Sequence, residues 1–161
     1  MPSILLTNEQ AEAAIRNRLP TGTNLNSRQI ADNWDDDARA KAFFSSRVAQ
    51  ADILAGFQRR IQQVVEGKIS QGEAREWMRQ LIESKGDNVL SQMGFKGAQE
   101  GKSGGITELA STSRLNLIID QNVTMAHQAA AYQQAQDDLE FYPYVEYVSQ
   151  DDVALRTGGV D

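Results

Sequence analysis

Residues 111–137 read STSRLNLIIDQNVTMAHQAAAYQQAQD, and this stretch decides the class of fold. Steps of three and four residues alternate along it, through Leu115, Ile118, Asn122, Met125, Ala129, Tyr132 and Gln136. Such a heptad-like spacing predicts one long helix with a seam for a partner helix. We expect the helix to begin near residues 111–113 and to end at Asp137-Asp138.

A second apolar stripe precedes it, formed by Phe44, Val48, Ala51, Leu54, Phe57, Ile61 and Val64. Its spacings of three and four predict a single helix from the acidic run at residues 35–37 to Glu66. Ser70-Gln71-Gly72-Glu73 has the pattern of a capping box, which predicts a further helix up to Lys85-Gly86. The short connection between these two helices predicts an αα-hairpin.

The remaining segments are predicted from local signals. A capping box at residues 7–10, with Thr7 as N-cap, predicts a helix from Asn8 to about Leu19. Residues 20–27 are turn formers and predict a linker, after which Ser27 is expected to cap a short helical turn. Residues 86–106 contain six glycines and predict a flexible segment. FYPYVEYV at residues 141–148 predicts a strand.

Together these elements predict a mainly α fold with long helices, an αα-hairpin and a short C-terminal β element. The expected organisation is an N-terminal helix and linker over residues 1–26, followed by a helical domain over residues 27–161. That domain would carry the flexible segment 86–106 and the strand 141–149. No internal repeat is visible.

Composition narrows the functional classes. The chain has 161 residues, 40% of them hydrophobic and 24% charged, with a net charge of −6. The absence of cysteine excludes disulfides, thiol catalysis and cysteine-ligated zinc. The acidic balance disfavours nonspecific DNA binding, although a local basic patch would still permit it. No run approaches the roughly 20 apolar residues of a membrane span, and MPSILL is too short for a signal peptide.

Two patterns suggest chemistry, and each has a simpler interpretation. His127 is the single histidine and lies between alanine-rich turns, where packing or exposure explains it better than catalysis. Gly101-Lys102-Ser103 is similar to the end of a phosphate-binding loop, but Lys96 occupies the position where that motif needs its first glycine. We therefore predict no catalytic residue and no cofactor.

Charged clusters offer two further alternatives. The acidic pairs and triplets at residues 35–37, 137–138 and 151–152 do not match a calcium loop, so capping and solvation explain them and no metal site is predicted. Lys41, Arg47, Arg59 and Arg60 give the middle helix basic character without interleaved aromatic residues. A nucleic-acid-binding helical module and a metal-dependent hydrolase using Lys102 remain the alternative functions.

Residues 113–136, read with the aromatic stretch Pro143-Tyr144-Val145-Glu146-Tyr147-Val148, resemble the phage Mu F-like and SPP1 minor head family. The helix with its arginine, asparagine and alanine–tyrosine turn is similar to the family pattern at Arg114, Asn122 and Tyr132. The likeness is close over these two stretches and extends to the rest of the chain only in layout. Residues 150–161 depart from it, since they lack the proline and histidine that usually follow.

The resemblance implies a structural protein of a tailed-phage or prophage head, present near the portal or in the capsid interior and acting in assembly or DNA delivery. It implies the portal protein, the major capsid protein or a second copy of the chain as partners, and the virion head and host cytoplasm as locations. Partner contacts are expected along both helical stripes, at Arg114, Asn122, Tyr132, Leu54, Phe57 and Ile61.

Overall fold

A computed structural model describes the backbone of residues 3–139 and the side chains of residues 9–139. The described part contains seven α-helices: α1 (Ser3–Arg16), α2 (Ser27–Asn33), α3 (Asp36–Lys41), α4 (Ala51–Val65), α5 (Gln71–Lys85), α6 (Asp87–Gln92) and α7 (Thr112–Asp137). Two short strands, β1 (Leu19–Pro20) and β2 (Ala42–Phe43), pair in parallel. The mainly α class is confirmed. The predicted strand 141–149 lies outside the described residues.

The core lies where α4 and α5 pack against α7 and α1. The predicted αα-hairpin is α4 and α5, and the capping box that begins α5 is present. Ser70 Oγ accepts a hydrogen bond from Glu73 N at 3.2 Å, and Glu73 Oε2 accepts one from Ser70 N at 2.7 Å. Gly56 lets the two helices approach, because a Cβ there would collide with the side chain of Leu81.

The single helix predicted from residues 35–37 to Glu66 is wrong. The chain instead forms α3, then β2, then a turn, and α4 begins only at Ala51. Phe43 and Val48 are both fully buried, yet five helical residues would turn their side chains about 140° apart. The non-helical path, with Arg47 at a φ of 62°, brings both into one core.

The segment predicted as a linker is held against this non-helical stretch. Thr21 N donates to Phe43 O, and Thr23 N donates to Val48 O, each at 2.9 Å. The chains approach so closely that a Cβ at Gly22 would collide with the carbonyl oxygen of Ala49. These contacts are between residues far apart in sequence, so turn composition could not predict them.

Two predicted helix starts need correction. Asn26, not Ser27, is the N-cap of α2, with Gln29 completing a capping box. The first helix begins at Ser3, so Thr7 lies inside it, and it ends at Arg16 rather than near Leu19. Residues 4–6 are Ile-Leu-Leu, apolar residues that a helix accommodates without a breaker.

The glycine-rich segment 86–106 contains more structure than its composition indicated. It forms α6 and a 3₁₀ helix at Glu100–Ser103. Leu90, Met93, Phe95 and Ala98 are buried in the core, which ties the segment to the helices around it. Its predicted flexibility stays a prediction. No helix within residues 3–139 is long and apolar enough to cross a membrane.

Candidate functional site

Half of the residues predicted to bind a partner lie in the core. Leu54, Phe57 and Ile61 on α4 are fully buried among the helices of this chain. The stripe on α4 is therefore an intramolecular seam that gives a partner no direct access to these three side chains in this fold, and partner binding through them stays a prediction. A stripe that faces the core of its own chain and a stripe that binds a partner helix have the same period, so the spacing of these residues could not distinguish them.

The stripe predicted on α7 divides into two parts. Leu115 and Ile118 at its beginning are buried, whereas Met125 is 43% exposed and Tyr132 is 68% exposed. We call Met125 and Tyr132 the outer face of α7. It is the part of the predicted seam that remains available to another molecule.

The division has a geometrical cause. A heptad repeat drifts by about 20° per seven residues around a straight helix, so the predicted stripe gradually leaves the core. The buried pairs Leu115–Ala126 and Ile119–Ala130 are instead 11 residues apart, close to three whole turns. The 11-residue spacing is the sequence signal that marks the true core face of α7.

Arg114, in the first turn of α7, is 7% exposed. Its Nη1 donates to Ile106 O at 2.8 Å, and its Nη2 donates to Ser45 Oγ at 2.7 Å and Ser46 O at 2.9 Å. Burial lowers the pKa of Arg114 from its ordinary value, and the nearby charge of Arg47 adds to the lowering. Arg114 thus joins α7 to two loops at once.

Asn122, two turns further on, is half-buried, and its Nδ2 donates to Ile118 O of the same helix at 2.8 Å. Arg114 and Asn122 line one cavity of about 300 Å³. Arg39, Ser45 and Ser46 contribute further polar groups to the cavity. Its apolar lining comes chiefly from Ile30, Phe44, Ile106, Leu117 and Ile118. The fold therefore brings Arg114 and Asn122 together and leaves Tyr132 apart on the outer face of α7.

The other candidate residues have structural partners or are exposed. Lys102 Nζ pairs with Glu83 Oε1 at 3.0 Å, and the segment before it holds α6 rather than the strand of a phosphate-binding loop. His127 is an exposed residue of α7. Among the described residues, no group of three or more His, Asp or Glu side chains is placed to hold a metal ion.

The basic residues of the middle region do not form one free patch. Lys41 Nζ pairs with Asp37 Oδ2 at 2.7 Å, and Arg39 pairs with Asp36. The guanidinium of Arg60 lies 4.0 Å from the centre of the Trp77 ring, which gives a cation–π contact. Arg59 is exposed.

Comparison with known proteins finds relatives among phage proteins. The chain is 31% identical to "Putative capsid assembly protein F" of Escherichia phage Mu over 132 residues, with 77% of the chain matched. It is 28% identical to "Mu-like prophage FluMu F protein" of Haemophilus influenzae over 128 residues, again with 77% matched. The matched region covers only 28% and 29% of those two proteins. No family model and no solved structure matches the chain.

Proposed function

This chain is a phage Mu F-like protein, and we propose that it serves head assembly in a tailed phage or prophage. The observation that carries the proposal is the 77% of the chain that matches a protein named for capsid assembly. In finer detail, the chain is a minor head protein near the portal or in the capsid interior. It spans less than a third of the length of these relatives, so their remaining parts have no counterpart in the matched region.

The outer face of α7 is the surface we assign to the contact with portal or major capsid subunits. Assembly needs a surface that excludes water when a partner docks, and exposed aromatic and methionine side chains are enriched in such interfaces. Met125 and Tyr132 are both exposed, and seven helical residues place them within about 20° of each other around α7. A partner helix lying along α7 would cover both.

The test is the solution mass of the chain by light scattering, alone and mixed with the portal and major capsid proteins of the same genome. We expect a defined complex with one of them, lost in the double variant Met125→Asp, Tyr132→Asp. Leu19→Ala is the control, because Leu19 is 71% exposed and its strand β1 contacts chiefly α4 and β2. A monodisperse monomer in both mixtures would overturn the proposal.

No specific observation favours either alternative function. Nucleic-acid binding was expected to use Lys41, Arg47, Arg59 and Arg60. Of these, Lys41 pairs with Asp37, Arg47 donates to the carbonyl oxygens of Gly94 and Thr107, and Arg60 lies on the Trp77 ring. Hydrolysis at Lys102 would need the lysine to face a phosphate, and Lys102 instead pairs with Glu83.

A further inference from the structure

The cavity beside the first turns of α7 contains positive charge and no acidic lining residue. Arg39 and Arg114 are among the side chains around it, and no aspartate or glutamate is. Its volume of about 300 Å³ is at the lower end of the range for small-ligand pockets, roughly 300–1,000 Å³. The cavity is therefore basic, although the chain as a whole is acidic with a net charge of −6.

The charge of Arg114 is buried without an anion. All its hydrogen bonds to the described residues go to neutral oxygens, namely the carbonyls of Ile106 and Ser46 and the hydroxyls of Ser45 and Ser46. None of the ion pairs in the described part of the chain involves Arg114. Burying a cation without a counter-charge costs free energy that hydrogen bonds to neutral groups offset only in part.

Unused donors accompany this uncompensated charge. The Nε–H of Arg114 makes no hydrogen bond to the described residues. Arg39 Nε is buried and likewise lacks an acceptor there, although its Nη2 pairs with the exposed Asp36. Two guanidinium groups therefore each retain a donor, and guanidinium is the side-chain group best suited to bind an oxyanion.

The apolar walls distinguish between oxyanions. Ile30, Leu117 and Ile118 line the same space as the two arginines. A phosphate has no apolar part that these side chains could shield from water. An aliphatic carboxylate would place its charge near the arginines and its hydrocarbon chain against the apolar side chains. We propose that this cavity binds an aliphatic carboxylate, with Arg114 and Arg39 holding the carboxylate and the isoleucine and leucine side chains covering the chain.

Two sources supply this chemistry, a free aliphatic acid and a glutamate side chain within a peptide. The experiment titrates the full chain with hexanoate and, separately, with the peptide acetyl-Leu-Glu-Leu-amide, following ¹H–¹⁵N signals. Saturable shifts at Ser45, Ser46 and Asn122 are expected with at least one of them. Saturation by hexanoate assigns the site to a free acid, and saturation by the peptide alone assigns it to a peptide-borne carboxylate.

Arg39→Gln tests the charge without removing the buried Arg114. We expect it to weaken binding about tenfold or more, the usual effect of losing one charged hydrogen bond. Arg59→Gln is the matched control, because it removes the same charge from an exposed site on α4 and should leave the affinity unchanged.

Four results would overturn the proposal. The first is no saturable shift with either probe, and the second is equal binding by hexanol, which has the aliphatic chain without the charge. The third is equal weakening by Arg39→Gln and Arg59→Gln, since this would reflect net charge alone. The fourth is tighter binding of inorganic phosphate than of hexanoate at matched ionic strength, which would contradict the role of the apolar walls.

Discussion

The side-chain amide of Gln58, in the middle of α4, donates from Nε2 to the backbone carbonyl oxygen of Ile15 at 2.7 Å. The same nitrogen donates to the carbonyl oxygen of Arg18, also at 2.7 Å. The last carbonyls of a helix have no partner within the helix. Gln58 therefore supplies, from another helix, a second hydrogen bond to Ile15 O in the last turn of α1, which also accepts from Arg18 N at 3.2 Å, and one to Arg18 O just beyond that helix.

Replacing Gln58 should reveal this role as a loss of stability. Gln58→Ala removes the side-chain donor from Arg18 O and leaves Ile15 O with the backbone N–H of Arg18 alone, so we expect the free energy of unfolding to fall by about 1–3 kcal/mol. Urea denaturation followed by circular dichroism measures it. Gln80→Ala removes the same side chain from an exposed position on α5 and should change stability little. Equal effects of the two substitutions would contradict the capping role.

The register of α7 makes a second prediction. Ile119 is fully buried, while Met125 belongs to the outer face, although only Met125 lay on the predicted heptad stripe. Ile119→Ala should lower the free energy of unfolding by about 2–5 kcal/mol, and Met125→Ala should change it by less than about 0.5 kcal/mol. Thermal or urea denaturation distinguishes them, and the reverse order would restore the heptad seam as the core.

Elements set by local signals were predictable from sequence. The capping box at Ser70, the hairpin it begins and the extent of α7 depend on residues within a few positions of one another. Which face of α7 packs into the core was harder to predict, because a heptad repeat and an 11-residue repeat differ only by a small angle that accumulates along the helix. A heptad and an 11-residue repeat coincide over the first turns and separate only near Met125, where alanines replace the large residues that would have marked the core.

The interruption between α3 and α4 was not predictable by the same means. Its cause is the pairing of Leu19 with Ala42 and of Pro20 with Phe43, together with the bonds from Arg114 to the serine pair. All of these join residues far apart in sequence, and tertiary contacts of this kind override local propensity. The cavity follows from the same contacts, so Arg114 and Asn122 could be selected from sequence but their shared site could not.

The capping box gives a pH-dependent prediction. Hydrogen bonds from the backbone and side chain of Ser70 hold the pKa of Glu73 below its ordinary value. A lowered pKa in the folded state stabilises the protein above the pKa of the unfolded state, about 4.3 for glutamate. This contribution is lost as the pH falls through the lower folded pKa.

We therefore expect Glu73→Gln to reduce the urea midpoint at pH 7 more than at pH 3. At pH 3, below the pKa of about 4.3 that glutamate has in the unfolded state, the stabilising contribution of the charged carboxylate is smaller, so the two proteins should become more alike. Glu100→Gln is a suitable control on an exposed glutamate for which the structure shows no ion pair or side-chain hydrogen bond among the described residues. A difference between wild type and Glu73→Gln that does not depend on pH would contradict the electrostatic origin.

The glycine-rich segment provides the last prediction, because sequence and structure lead to different expectations there. Asp87 Oδ1, in the first turn of α6, accepts a hydrogen bond from Ala98 N at 3.0 Å. The carboxylate lies so close to Gly97 that a Cβ there would approach it to 2.8 Å. Asp87 thus fastens the second half of the segment to the first.

Amide hydrogen exchange of the wild-type chain should show protection at Phe95, whose N–H donates to Leu90 O at 2.9 Å, and at Ala98. Asp87→Ala should speed the exchange of Ala98 and its neighbours severalfold, because the amide loses its acceptor and the loop loses its attachment. Glu100→Ala, in the same segment, should leave these rates unchanged. Rapid exchange throughout residues 86–106 of the wild-type chain would instead support the flexibility that the six glycines indicate. It would also contradict the role of the Asp87–Ala98 hydrogen bond in ordering the segment.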